Sequence, residues 1–183
     1  HHPRVNVPFV INANGTGLKR LKTFFGGHPE WDFGNRMMGS LNDQQILYDV
    51  DRDQVIGHIG NEEIFIKPRG DIALSPKGDW FVNGHKDNAA AMNYYTFYQR
   101  STGKWVRSQG FNIGKWISGD LRQDPSPSWN RSGNQGLVRG LVGDDDNHHP
   151  FAALAALNTH TADPSFRDVL DALEGCLLYT SDA

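Results

Sequence analysis

A short phrase that combines a tight turn with two strand-like runs recurs three times along the chain. Its copies are HPEWDFGNRMMG from His28, DIALSPKGDWFVNG from Asp71 and SPSWNRSGNQGLVRG from Ser126. Each copy has an apolar or aromatic residue, a short polar turn that ends in glycine, and a second run with apolar residues. A pattern that returns roughly every 50 residues indicates a repeat fold, in which each repeat is one small supersecondary unit.

A second series of hairpin turns alternates with the first. Its members are NANGTG at 12–17, DVDRD at 49–53 and RSTGK at 100–104, and each lies between β-rich runs. Asn, Asp and Gly supply the positive φ angles that short hairpin loops need. Two alternating series give four antiparallel strands per unit, and such units repeated around an axis are the blades of a β-propeller. The alternative is a β-sandwich with coincidental spacing, but the constant phase of both series favours the propeller.

The sequence therefore predicts an all-β fold, a partial β-propeller over residues 1–147. We expect the end of one blade at 5–26, complete blades at 27–60 and 70–110, and the start of a further blade at 126–147. This amounts to about three blades, whereas closed propellers have roughly four to eight. We therefore expect the remaining blades to belong to a longer chain. Because an open arc leaves bare strand edges, we also expect this segment to fold poorly alone.

The pattern changes after residue 147. FAALAAL and SFRDVLDALEG have helical periodicity, so residues 148–175 are either a helical element or a stretch read out of frame. The last eight residues, CLLYTSDA at 176–183, resemble the translated end of a sequencing adapter, and we expect them to lie outside the natural fold. They include the only cysteine, Cys176, so the remaining sequence offers no disulfide or thiol chemistry.

The bulk composition argues against several classes of partner. The formal net charge is −3 and the pI is about 6.2, which gives no electrostatic basis for binding nucleic acid or an anionic membrane. No apolar run approaches the roughly 18 residues of a membrane-spanning helix. Motifs for nucleotide binding, zinc proteases and nucleophilic hydrolases do not occur in this sequence.

Two parts of the sequence resemble a known propeller family. FVINANGTGLKRL followed by GGHPEW is similar to the TolB-like repeat, in which an N-x-D-G hairpin leads to a G-H-P-x-W entry into the next blade. Asn14 and Lys77 stand where that repeat usually has Asp, and both residues still suit a turn. GDIALSPKGDWFVNGHKD and GDLRQDPSPSWNRSGNQ resemble the oligogalacturonate-lyase-like branch of these propellers.

The resemblance implies a periplasmic or extracellular, bacterial-type protein. The expected function is a propeller module that binds an oligosaccharide or a protein in its central funnel. The lyase-like branch implies an alternative, in which a divalent metal such as Mn²⁺ holds a uronate carboxylate and a base removes the proton at carbon 5, so that the sugar leaves by β-elimination. A third alternative is the propeller domain of a serine peptidase. Whether the protein is an enzyme is open at this point.

The first candidate site residues lie where inner strands begin, because that end of a blade faces the funnel. His28, Asp71 and Ser126 occupy equivalent positions in the three copies of the phrase. Lyase-like sequences tend to have His at the last two of these positions, so this chain departs from the metal-binding pattern. His85 ends a strand-like run nearby, and His28 and His85 are the candidate metal ligands. The structural alternative is that these side chains cap turns and link blades.

The second group of candidates lies in the loop SGDLRQD. Asp120 and Arg122 precede an inner strand there, and an arginine in this place would clamp the carboxylate of an acidic sugar. A surface ion pair between Arg122 and Asp124 is the structural alternative. The sequence assigns no catalytic residue.

Overall fold

The computed structural model describes residues 8–68, 70–141 and 152–158 of the chain. All regular structure in these ranges is β-strand, and they contain no helix that is long and apolar enough to cross a membrane. The strands are β1 (Phe9–Val10), β2 (Lys19–Arg20), β3 (Gly26–Trp31), β4 (Arg36–Leu41), β5 (Gln44–Asp49), β6 (Gln54–Ile59), β7 (Ile72–Leu74), β8 (Trp80–Asp87), β9 (Met92–Gln99), β10 (Trp105–Arg107), β11 (Phe111–Asn112), β12 (Ser128–Trp129), β13 (Gln135–Leu141) and β14 (Ala152–Asn158).

The strands form four successive antiparallel sheets. The first sheet is the hairpin β1–β2, and the second is the four-stranded meander β3-β4-β5-β6. The third repeats that meander as β7-β8-β9-β10, with β11 pairing on β9 after β10 has ended. The fourth contains β12, β13 and β14. The described residues thus include two complete four-stranded units in succession, which confirms the prediction of an all-β partial propeller.

The turns have the backbone geometry that the sequence predicted. Gly34, Gly78 and Gly133, the turn glycines of the three phrases, have φ angles of 65°, 76° and 74°. Asp53 and Gly103 in the alternating series have φ angles of 56° and 72°. These left-handed conformations are accessible to Gly and tolerated by Asp, and they let each hairpin reverse within a few residues.

The innermost strands of neighbouring sheets lie side by side. His28 of β3 and Asp71, just before β7, form a parallel β-bridge, and β12 lies next to β7. Within each sheet the strands are antiparallel, so this parallel bridge marks the place where two sheets meet. The arrangement brings the first residues of successive inner strands to one end of the structure.

Apolar side chains fill the spaces between successive sheets. Along β8 the side chains alternate, so that Phe81 packs toward the second sheet while Trp80 and Val82 pack toward the fourth. The seam between the second and third sheets includes residues of the linker that joins them. Its buried residues are Met38, Ile59, Ile64, Phe65, Ile72 and Phe81. Each sheet is therefore too thin to bury its own apolar faces and depends on its neighbours.

A buried ion pair crosses the same seam. The Asp32 side chain has no exposed surface, and its two oxygens lie 2.9 and 3.2 Å from the guanidinium nitrogens of Arg100. Arg36 lies 3.3 Å away. Burial by itself would raise the pKa of Asp32, but the hydrogen bond from Arg100, the backbone N–H of Phe33 and the two positive charges outweigh it and lower that pKa.

The expectation of a helix at FAALAAL is wrong for the residues that the structure describes. Ala152–Asn158 forms strand β14, which pairs with β13 from Gln135↔Asn158 to Leu141↔Ala152. Pairing covers the second edge of β13, and this tertiary requirement overrides the helix propensity of Ala and Leu. Residues 142–151 and 159–183, which include the rest of the doubtful segment and the adapter-like end, lie outside the described residues.

Candidate functional site

A cleft of about 360 Å³ opens where the inner strands begin. It is bordered by the second and third sheets and by the segments that precede β7 and β12. Its lining residues are His28, Lys67, Gly70, Asp71, His85, Lys86, Arg122, Asp124 and Pro125. Four of the residues selected from the sequence, His28, Asp71, His85 and Arg122, therefore lie in one cleft. Whether they bind a ligand stays a prediction.

Asp71, one of the three equivalent positions that the repeat pattern identified, contacts the other two, His28 and Ser126. Its Oδ1 lies 3.1 Å from Nε2 of His28, and its Oδ2 accepts a hydrogen bond from the hydroxyl of Ser126. His28 is 77% exposed, whereas the Asp71 side chain is only 19% exposed. These contacts form because the inner strands lie side by side, which brings the equivalent residues of neighbouring sheets next to one another. Asp71 is thus already engaged on both oxygens, and His28 presents its ring to solvent.

His85 contributes a half-buried imidazole at the end of β8. Its ring stacks on Tyr94, with centroids 6.2 Å apart and planes 28° from parallel. Burial lowers the pKa of His85, the charges of Arg107 and Lys67 add to that effect, and Asp87 opposes it. Burial therefore favours the neutral form of the ring, which retains a lone pair. The described contacts of His85 do not include Asp71, although both residues line the cleft.

A carboxylate held by two cations forms one wall of the cleft. Asp124 Oδ1 lies 2.8 Å from Nζ of Lys86, and Oδ2 lies 2.7 Å from Nε of Arg122. Lys86 also donates to the carbonyl of Ile117 at 3.3 Å. Burial by itself would raise the pKa of Asp124, but the hydrogen bonds and charges of Lys86 and Arg122 lower it. The structural alternative for Arg122, an ion pair with Asp124, is therefore present in the structure.

Sequence reasoning missed two cations of this cleft, Lys67 and Lys86. Lys67 lies in the linker before β7, and the ion pairs among the described residues do not include it. Isolated lysines usually lie on solvated surfaces, so neither residue carried a signal of its own. The adjacency of Lys86 to His85 was the one available indication. Asp120, which the sequence did select, is exposed and lies outside the cleft lining.

Close backbone contacts adjoin the cleft, and two of the residues involved, Gly70 and Pro125, belong to its lining. A Cβ on Gly84 would lie 1.9 Å from the carbonyl oxygen of Pro125, and a Cβ on Gly70 would lie 1.8 Å from the carbonyl oxygen of Gly84. These three segments therefore touch through their backbones. Glycine at 70 and 84 lets the loop that carries Arg122 and Asp124 lie directly against β8.

The described residues do not fit a complete metal centre. His28 and His85 line the same cleft, but no group of three or more His, Cys, Asp or Glu side chains in residues 8–68 and 70–141 is arranged to hold a metal ion. Catalytic zinc sites and the two-histidine, one-carboxylate sites of iron enzymes each take three protein ligands. We therefore derive no chemical step through Mn²⁺ from this arrangement.

Comparisons with known proteins give similarities in structure. The sequence matches no protein-family model, and no curated protein is significantly similar to it. Among solved structures, the chain is similar to oligogalacturonate lyase in complex with manganese, with 16% identity and a TM-score of 0.49 over 72% of this chain and 37% of that one. It is also similar to TolB from Acinetobacter baumannii, with 14% identity and a TM-score of 0.49 over 82% of this chain and 34% of that one.

A further similarity is to a prolyl endopeptidase, at 15% identity and a TM-score of 0.39, over 75% of this chain and 23% of that one. The chain thus spans about a third of the length of the lyase and of TolB, and less of the peptidase. The described part of the chain is a partial β-propeller, with two complete four-stranded units in succession.

Proposed function

We propose that this propeller segment is a ligand-binding module and that its cleft takes an acidic oligosaccharide. One observation carries the proposal: cationic side chains from separate segments converge on a cleft that also contains two histidines. Lys67, Lys86 and Arg122 contribute three positive charges, while Asp71 and Asp124 contribute two negative charges. The excess of cations, together with the exposed ring of His28, favours a ligand that carries carboxylates.

The size and polarity of the cleft support an oligosaccharide rather than a compact apolar ligand. A volume of about 360 Å³ is at the small end for ligand sites and suits one or two sugar rings. Its lining side chains are polar or charged apart from Pro125 and Gly70. A protein partner that presents an acidic side chain is the second occupant that such a module would accept. A periplasmic or extracellular location, which the sequence resemblance implies, agrees with a polysaccharide ligand.

Calorimetric titration of the chain with trigalacturonate tests the proposal, with a neutral trisaccharide as the comparison ligand. We expect trigalacturonate to bind and its affinity to fall as salt rises, because exposed charge interactions are screened. Arg122→Gln is expected to weaken binding by roughly tenfold, the effect of losing one charge-assisted hydrogen bond. Arg131→Gln, in the exposed turn between β12 and β13, removes the same charge away from the cleft and serves as the control. Equal binding of the neutral trisaccharide would contradict the proposal.

A metal-dependent lyase is the second candidate, and the place of His85 in the cleft, where burial lowers its pKa, favours it. A neutral imidazole inside a cation-rich cleft is suited to remove the proton next to a uronate carboxylate. Against it stands the incomplete set of metal ligands among the described residues. A rise in ultraviolet absorbance from an unsaturated product, lost in His85→Gln, would identify the lyase. Binding without such a rise leaves the module as the function. None of the described residues bears on the peptidase alternative.

A further inference from the structure

Asp124 occupies the position in the cleft that best suits an anion. Its two oxygens are each held by a different cation, Lys86 on one side and Arg122 on the other, at 2.8 and 2.7 Å. The cations come from separate segments, β8 and the loop before β12. A ligand carboxylate that entered the cleft would meet its strongest partners here, and it would find them already occupied.

The pair differs from the structural ion pair of the same molecule. Asp32 is fully buried and receives a bidentate contact from Arg100, a contact from Arg36 and a backbone hydrogen bond. The Asp124 side chain is 37% exposed, and the hydrogen bonds described for its carboxylate come from Lys86 and Arg122 alone. Asp124 can therefore turn toward solvent without leaving a buried carboxylate unpaired.

The burial of Lys86 explains why a ligand carboxylate would replace Asp124. Its side chain is only 15% exposed, so its ammonium requires an anion or a carbonyl nearby. If Asp124 turned away alone, Lys86 would retain only the long contact to Ile117. A ligand carboxylate that replaces Asp124 restores the pair. The cations thus favour whichever carboxylate is present, and the two compete for one place.

We propose that Asp124 is an internal competitor, a latch that covers the anion position of the cleft until a ligand carboxylate displaces it. The proposal rests on the proposed acidic-ligand function and adds its regulation. Because a site that is open only part of the time shows a correspondingly weaker apparent affinity, opening the latch permanently strengthens binding. Asp124→Asn should therefore bind trigalacturonate about five- to tenfold more tightly than the natural chain.

The matched control is Asp120→Asn. It removes one negative charge from the same loop, but Asp120 is exposed and lies outside the cleft lining, so the change frees neither Lys86 nor Arg122. A general electrostatic effect would strengthen binding in both variants, whereas the latch predicts the gain in Asp124→Asn alone. Asp124→Ala is the second variant, and thermal melting of each protein checks that it is folded.

The titrations separate this inference from the proposed function. The latch is supported if Asp124→Asn and Asp124→Ala bind more tightly while Asp120→Asn binds like the natural chain. It is also supported if binding is measurable only in the Asp124 variants. Measurable binding in the natural chain that is unchanged or weakened in the Asp124 variants overturns the latch and leaves the acidic-ligand function in place. Equal gains in Asp120→Asn and Asp124→Asn also overturn it. Failure of all four proteins to bind overturns the proposed function and the latch together.

Discussion

Two carboxylates, Asp32 and Asp49, show how burial decides how much an ion pair contributes to stability. Asp32 is sealed between two sheets and has three cationic or N–H partners, so it contributes to holding the sheets together. Asp49 also pairs with an arginine, but its partner Arg52 is 70% exposed and the contact is 3.6 Å long. Exposed pairs of that kind are screened by solvent and contribute little to stability. Replacing each aspartate by asparagine measures this difference in stability.

Asp32→Asn is expected to lower the free energy of unfolding at pH 7 by about 2–3 kcal/mol, the value of charged hydrogen bonds lost. The pKa of Asp32 is lowered in the folded chain, so its stabilisation is present above the ordinary carboxyl pKa of 3.8 and is lost as the pH falls through the lower folded value. The gap between the two proteins should therefore narrow as the pH falls below 3.8 and through the lower folded pKa of Asp32. Urea unfolding at several pH values measures it.

Asp49→Asn provides the control for that series, with an expected cost of about 1 kcal/mol or less at pH 7. The account of Asp32 would be wrong if its substitution cost no more than this control. It would also be wrong if the cost of Asp32→Asn stayed the same at every pH.

At the scale of the strand, the position of a loop depends on the absence of a side chain. Gly84 lies within β8, where its φ is not unusual, and a methyl group added to its Cα would lie 1.9 Å from the Pro125 carbonyl oxygen. Gly57 lies in β6 and has open space in the same direction. Both glycines lie in strands, but only Gly84 has another backbone segment where its Cβ would be.

Gly84→Ala is expected to push the loop of Arg122 and Asp124 away from β8, because the clash is with backbone that cannot rotate aside. We expect a loss of about 2–3 kcal/mol of stability, in the range of overpacked sites, and weaker binding of trigalacturonate. Gly57→Ala should change stability by less than about 1 kcal/mol in either direction. Chemical unfolding and calorimetry check both variants, and equal effects would show that close approach at Gly84 is unimportant.

The same scale shows where sequence information is sufficient and where it is not. The hairpin turns were predictable because Asn, Asp and Gly mark positive φ angles locally, as at Gly34 and Gly78. FAALAAL was misinterpreted because its strand β14 is specified by pairing with β13, which its own residues do not encode.

In the candidate site, the equivalent positions of the repeat led to His28, Asp71 and Ser126. Lys67 and Lys86 were missed because a lysine becomes part of a cleft only through tertiary placement.

At the scale of the whole molecule, stability comes from the seams between sheets. Phe65 belongs to the linker between the second and third sheets, is 2% exposed, and packs edge-on against Phe81 and Tyr98. Ile66 is its neighbour in sequence and is 41% exposed. The linker thus inserts one side chain into the seam and leaves the next in solvent.

Phe65→Ala is expected to destabilise the protein by about 3–5 kcal/mol, as large-to-small changes in packed cores do. Ile66→Ala should cost less than about 1 kcal/mol, since its side chain is already partly in water. The open arc makes the chain only weakly stable alone, but because the second and third sheets share this seam, we expect circular dichroism and tryptophan fluorescence to report one common loss of both sheets. Two separate transitions in the natural chain would contradict the view that the sheets stabilise each other.

The parallel bridge between His28 and Asp71 has a consequence for how recognition can diversify. His28 and Asp71, at the entries of two neighbouring inner strands, line the cleft, while the buried apolar clusters that hold the sheets together consist of other residues. A substitution at one of these entry positions therefore alters the chemistry offered to a ligand and spares the packing beneath. Preference for a new ligand can accumulate one blade at a time, through single exchanges such as imidazole for carboxylate, on an unchanged scaffold.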